Sequence, residues 1–218
     1  QEFALNASHE LRNPLNALLL RVEHLATGLG KEWQGDVEET REEGRRMTRI
    51  LETLLGLARG GRGDSTISAV DLATLAARRR DAWRDVAAQR GVVLRATGVS
   101  PVMSVTDRTI VESALDAVID NAVKFSPEGA PIEIGAEREG QVCRITVRDH
   151  GPGLTEEQAA AATDRFWRSA DSGDTPGSGL GLAIASDLLA TVGGELAVAA
   201  AEGGGLAVTL VLHDGTTP

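Results

Sequence analysis

The sequence predicts an α plus α/β chain: a helical hairpin that needs a second copy to complete a four-helix bundle, followed by a two-layer α/β sandwich. Three observations carry this. Apolar residues step by four and three through residues 1–59, a Gly-rich polar stretch interrupts the pattern at 60–66, and over 67–218 strand-like and helix-like runs mix without a regular strand-helix-strand repeat.

In the first part Leu11, Leu15, Leu18, Val22, Leu25 and Leu29 form the seam of a bundle helix, which Gly28 and Gly30 end. A second helix over 33–59 repeats the spacing with Val37, Thr40, Gly44, Met47, Leu51, Leu54 and Ala58. Two such helices with a short connection make an antiparallel hairpin whose single seam is best buried against a second copy, so a homodimer is expected, with Leu18 and Leu51 inside it. The run Arg59-Gly60-Gly61-Arg62-Gly63-Asp64-Ser65 reads as a linker and domain boundary.

Past the linker the expected elements are a strand at 67–70, a helix at Leu72–Gln89 with Asp71 as N-cap, strands at 92–96 and 102–105, and a helix at 107–125. Strands at 132–137 and Val142–Arg148 meet near Glu139-Gly140. Helices at 155–163 and 180–192 flank a Gly-rich loop, and strands at Glu195–Ala200 and 206–212 close the chain.

Composition narrows the function. A net charge of −10 with no basic stretch beyond Arg78-Arg79-Arg80, which sits in a helical pattern, argues against nucleic acid as a partner. The one cysteine, Cys143, excludes an internal disulfide and sits in an alternating apolar run as a small buried hydrophobe. No run of about 18 apolar residues occurs. The chain opens mid-pattern with Gln-Glu-Phe, as a piece of a longer protein does, so any sensing domain or membrane anchor is expected upstream.

Two groups of residues carry chemistry. In S-H-E-L-R-N-P-L at 8–15, a neutral His9 ring can act as a nucleophile while the neighbouring Glu10 carboxylate handles its proton. Asn13 shares the His9 face of the helix and carries an amide able to orient a water, and Pro14 frees the carbonyl of Glu10 and bends the helix beside the ring. His24, His150 and His213 lack such a setting, although His150 lies beside glycines of the second group.

That second group spans three segments. D-N-A-V-K-F at 120–125 puts Asn121 and Lys124 on one helical face, an amide oxygen suited to Mg²⁺ and an ammonium suited to phosphate. D-H-G-P-G at 149–153 ends a strand with Asp149 and turns on Gly151 and Gly153. G-S-G-L-G-L at 177–182 sets Gly177, Gly179, Leu180 and Gly181 at the start of a helix, where backbone N–H groups favour an anion.

These blocks, in this order, resemble the core of a two-component sensor histidine kinase: a HisKA-type dimerisation and phosphotransfer hairpin followed by an ATP-binding domain of GHKL (Bergerat) type. The resemblance spans nearly the whole chain and implies autophosphorylation of His9 from ATP, then transfer to an aspartate of a response regulator, with dephosphorylation of that regulator as a further activity. It implies Asn121 as the Mg²⁺ ligand, Lys124 on the phosphates and Asp149 reading adenine. D-R-F-W-R at 164–168 corresponds to the F-box, with Phe166 packing a lid over 169–176 and Arg168 contacting the γ-phosphate. It also implies a cytoplasmic location. One position departs from the pattern: Ala117, a turn before Asn121, stands where relatives have a second Asn or, in hydrolytic members, a general-base Glu. Glu112, Asp116 and Asp120 are the carboxylates near enough in sequence to stand in for metal binding. A degenerate ATP-binding scaffold and a GHKL ATPase are the alternative readings.

Overall fold

In a computed structural model, the described residues are 30, 33, 37, 40, 67–98, 100–164, 167–169 and 179–214. The chain divides into two compact units, Gln1–Asp64 and Ser65–Pro218. In the first, Val37 and Thr40 are helical and Trp33 N donates to Gly30 O at 3.1 Å. The remaining expectations for this unit, including the leucine seam, the bundle and His9, Glu10 and Asn13, fall outside the described residues.

The second unit is the expected two-layer sandwich. Its elements are β1 (Ile67–Asp71), α1 (Leu72–Gln89), β2 (Val93–Thr97), β3 (Met103–Asp107), α2 (Arg108–Phe125), β4 (Pro131–Glu139), β5 (Val142–Arg148), α3 (Glu156–Ala161), α4 (Gly181–Thr191), β6 (Glu195–Ala200) and β7 (Leu206–His213). The main sheet has the order β2-β4-β5-β7-β6, parallel only between β2 and β4, and β1 pairs with β3 in a separate antiparallel ribbon.

Strand alternation builds the core. Ile132, Ile134, Cys143, Ile145, Val147, Val208, Leu210 and Leu212 are buried on one sheet face, while their neighbours Glu133, Arg144, Thr146, Arg148 and Thr209 stay partly exposed. Against the buried face α2 lays Val111, Ala114, Leu115, Val118, Ile119, Ala122 and Val123, a stripe at helical spacing. Each large side chain fully buried here stabilises by about 1.5–3 kcal/mol. The stripe turns Asn121 and Lys124 to the flank of α2, where both are only half-buried.

Several boundaries move by one or two residues, and caps explain the clearest cases. Asp107 is not the first residue of α2 but its N-cap: Oδ1 accepts from Thr109 N at 2.9 Å and Ile110 N at 3.3 Å. Thr155 likewise precedes α3, in a capping box in which Gln158 N donates to Thr155 Oγ1 at 3.2 Å and Thr155 N to Gln158 Oε1 at 2.9 Å. Asp71 caps α1 as expected and accepts Val102 N at 3.0 Å, tying the helix start to the approach to β3. Among the described residues no helix is long and apolar enough to cross a membrane.

Candidate functional site

β5 runs out at Arg148, and the next residue, Asp149, is 2% exposed. Its Oδ1 accepts Gly151 N at 2.8 Å and Leu206 N at 3.2 Å, while its own N–H donates to Leu206 O at 2.9 Å. Oδ2 takes no hydrogen bond from a described residue. Burial pushes the carboxyl above its ordinary value; the two amide bonds and the nearby His150 and Arg148 pull the other way without cancelling that effect. A buried carboxylate with one oxygen anchored and the other uncommitted is suited to accept a donor from a ligand.

Gly151 is required by close approach. A Cβ there would lie 2.6 Å from Phe125 O and 3.1 Å from Asp149 Oδ1, so the turn after β5 packs on the C-terminal end of α2 only because it has no side chain. Gly153 follows with φ +75°.

On α2, the Asn121 amide makes no hydrogen bond with a described residue, whereas the Lys124 ammonium is paired with the Asp120 carboxylate one turn back. At the start of α4 Leu180 occupies the N-cap position without a side-chain bond, Gly179 has φ +66°, and Gly181 opens the helix, so among the described residues no side chain caps the first turn. A Cβ on Gly181 would come 3.9 Å from Ala117 O, which sets the uncapped helix start beside the α2 turn that precedes Asn121. The turn at 149–153 thus packs on the C-terminal end of α2, and the N-terminus of α4 lies beside the α2 turn that precedes Asn121.

The three carboxylates near Ala117 each hold a side-chain partner. Glu112 accepts Arg108 Nε at 2.8 Å, and Asp120 holds Lys124. Asp116 accepts both Arg79 nitrogens, at 2.7 and 2.6 Å, and Trp83 Nε1 at 2.8 Å. Burial raises the Asp116 carboxyl, with Arg79 and Trp83 opposing. Among the described residues no cluster of three or more His, Cys, Asp or Glu is arranged to hold a metal. Arg168 is exposed, and Trp167 N donates to Asp164 O at 3.3 Å. Phe166 and Gly177 lie outside the described residues.

The wall formed by the β6–β7 hairpin was not foreseen. Gly205, with φ +84°, lets that hairpin close on the turn, since a Cβ there would lie 2.0 Å from Asp149 O. Gly203-Gly204-Gly205 between two alternating runs signals a turn in sequence. Nothing local links it to Asp149.

Comparison with known proteins agrees with this geometry. Residues 106–216 match the family described as histidine kinase-, DNA gyrase B-, and HSP90-like ATPase, and residues 1–63 match the His Kinase A (phospho-acceptor) domain. The swarming motility regulation sensor protein RssA of Serratia marcescens is 32% identical over 206 residues, covering 91% of this chain and 43% of the relative. The sensor histidine kinase WalK of Bacillus subtilis is 30% identical over 224 residues, covering 97% of this chain and 36% of that protein. The chain thus spans about half the length, or less, of the curated relatives it matches. Among solved structures, full-length ShkA in complex with AMPPNP aligns with a TM-score of 0.72 at 28% identity over 97% of this chain and 45% of that one. The mycobacterial sensor histidine kinase MprB aligns at 0.58 and 28% identity over 68% of this chain and 97% of that one. The chain belongs to the histidine kinase-, DNA gyrase B- and HSP90-like ATPase family, in the form that joins this domain to a histidine phospho-acceptor domain, the catalytic core of a two-component sensor histidine kinase.

Proposed function

We propose that this chain is an ATP-dependent protein-histidine kinase core, organised as a dimerisation and phosphotransfer hairpin over 1–59, a linker over 60–66 and an ATP-binding domain over 67–218. A nitrogen of the neutral His9 ring attacks the γ-phosphorus of ATP, an N–P bond forms as the bond to the ADP oxygen breaks, and Glu10 handles the ring proton. The phosphoryl group then passes to a carboxylate oxygen of an aspartate on a response regulator, with N–P cleavage regenerating His9. Asn13 orients a water that attacks the phosphorus of the aspartyl phosphate, breaking its bond to the carboxylate oxygen and releasing inorganic phosphate.

In the pocket Asp149 receives the adenine amino group, Gly151 and Gly153 let the backbone approach the base, and Gly177, Gly179, Leu180 and Gly181 present N–H groups to the phosphates. Phe166 packs the lid, and Arg168 meets the γ-phosphate. Lys124 reaches phosphate by exchanging its Asp120 partner. Mg²⁺ fits the residues present: Asn121 offers a hard amide oxygen free of described partners, and this ion fills the rest of its shell with phosphate and water oxygens. It supplies charge neutralisation on the transferring group.

The observation that carries the reading is the Asp149 carboxylate, buried at 2% exposure with Oδ1 held by Gly151 N and Leu206 N and Oδ2 without a hydrogen bond from a described residue. A hydrolytic ATPase is disfavoured by Ala117, which offers no carboxylate to activate water, and by the phospho-acceptor segment that precedes the domain. The chain is expected to work as a homodimer on the cytoplasmic side. The test is incubation with γ-labelled ATP and Mg²⁺: acid-labile, base-stable label on the wild type, and none on His9→Gln with nucleotide binding retained. Wild-type labelling of His9→Gln would remove His9 from the mechanism.

A further inference from the structure

His150 is held on both sides. Its Nδ1 lies 2.9 Å from Pro131 O, at the start of β4, and its Nε2 lies 2.5 Å from Arg148 Nη1. The same Arg148 nitrogen is 3.5 Å from Nδ1, too far to compete. A carbonyl only accepts and a guanidinium only donates, so Nδ1 carries the proton and Nε2 presents its lone pair. The tautomer is dictated by its partners.

Arg148 extends this clamp. Its Nη2 donates to Glu202 O in the β6–β7 hairpin at 2.6 Å, and its Nη1 lies 3.7 Å from Glu133 Oε2 on β4. The ring therefore joins the start of β4, the end of β5 and, through Arg148, the hairpin that supplies Leu206 N to Asp149 Oδ1. His150 also sits between Asp149 and Gly151, the residue whose N–H holds the same oxygen at 2.8 Å.

We propose that His150, in its neutral Nδ1–H form, is a positioning residue for the Asp149 carboxylate, so that protonating it loosens the nucleotide site. A proton on Nε2 removes the acceptor for Arg148 and sets two like charges against each other. The charged groups beside the ring are Arg148 and Asp149 on its own segment, and Glu133 on β4 faces Arg148; the hairpin contributes the backbone carbonyl of Glu202. The ring cannot take a proton at Nε2 without releasing Arg148. This inference rests on Asp149 binding the base.

The test is ADP affinity, measured by calorimetry with Mg²⁺ at pH 7.5 and pH 5.5 on the full chain, for wild type, His150→Gln and His150→Ala. Glutamine supplies one donor and one acceptor and does not titrate, so it should bind within about twofold of wild type at pH 7.5, and His150→Ala should bind at least about fivefold more weakly. Ionisation of ADP itself affects all three proteins alike. Between the two pH values the wild type should lose at least about threefold more affinity than His150→Gln, because only the wild type carries a ring at this position that can take up a proton. Superimposable pH profiles for wild type and His150→Gln would overturn the proposal. Wild type that binds no ADP at either pH would overturn the nucleotide reading instead. Heteronuclear NMR of the wild-type ring is independent of how the variants fold: the Nδ1–H form is expected at pH 7.5, and an Nε2–H form refutes the clamp.

Discussion

Asp149 and Leu206, 57 residues apart, exchange two contacts: Asp149 N–H donates to Leu206 O at 2.9 Å, and Leu206 N–H donates to Asp149 Oδ1 at 3.2 Å. The first extends the β5–β7 ladder by one rung past Arg148↔Ala207. The second turns that rung into a mount for a side chain. The orientation of the carboxylate is thus a consequence of sheet register, and Oδ2 takes no hydrogen bond from a described residue.

Replacing Asp149 by Asn should keep the mount and lose the reading. The amide oxygen can still accept the N–H groups of Gly151 and Leu206, which forces the NH₂ into the place of Oδ2, donor against the donor of adenine. ADP affinity should fall by about 1–3 kcal/mol, the cost of a mispaired buried polar contact. Unchanged affinity in a calorimetric titration would put the base elsewhere.

The same variant has a pH signature. The Asp149 carboxyl is held above its ordinary value of 3.8 by burial, so between that value and its folded one the folded chain keeps a proton that the unfolded chain has lost. Stability therefore falls as pH rises through this window, and above it the full destabilisation is present. Asp149→Asn lacks the term. It should be at least as stable as wild type at pH 7, with an advantage that shrinks as pH falls through the folded value toward 3.8. Urea unfolding at several pH values checks this, and a variant markedly less stable at pH 7 would make the carboxylate a structural group.

Thr106 is 2% exposed and its Oγ1 has no hydrogen-bond partner. It faces inward from β3 beside Ser104, whose hydroxyl does find a partner, His213 O at 2.7 Å. Thr106→Val keeps the shape and removes the unpaired hydroxyl, so stability should rise by about 1 kcal/mol, read as a higher urea midpoint at unchanged slope. A loss of stability would mean that the hydroxyl is satisfied in solution.

The elements of the second unit were legible because its periodicities are clean: β5 reads as alternating buried and half-buried residues, and α2 as a single apolar stripe. Asn121, Asp149, Gly151 and Gly181 were legible for a different reason, as parts of short local motifs. What sequence could not disclose depends on long-range packing. The pairing of β1 with β3 apart from the main sheet, the capture of Asp116 by Arg79 and Trp83 from α1, and the closure of Gly205 on Asp149 all join residues more than thirty positions apart with no periodic trace. His150 reads locally as one more turn residue, and only the positions of Pro131 and Arg148 give it a tautomer.

Asn121→Ala should separate folding from function. Its amide bonds to no described residue and it lies off the buried stripe, so stability should change by no more than about 0.5 kcal/mol. Loss of the sole protein ligand proposed for Mg²⁺ should lower the initial rate of label incorporation at least about tenfold. Labelling at the wild-type rate across a Mg²⁺ titration would assign the ion to other groups.

The proposed phosphotransfer segment allows a sharper separation, between two activities. Asn13 follows His9 by four residues, the spacing that shares a face in an expected helix, and carries an amide that can hold a water but has no charge with which to act as a base on the imidazole. Glu10, next to His9, has the charge. If Asn13 positions water against a phosphorylated aspartate of the regulator, Asn13→Ala should lose regulator dephosphorylation and keep autophosphorylation. Glu10→Ala should lose mainly autophosphorylation, by a factor of about 10²–10⁴, the usual worth of a positioned general base. The deciding measurement is the decay of a phosphorylated cognate regulator in the presence of each variant, alongside γ-label uptake by the variant itself. Equal decay with wild type and Asn13→Ala would leave Asn13 an ordinary helix residue, and unimpaired labelling of Glu10→Ala would assign the proton transfer to another group.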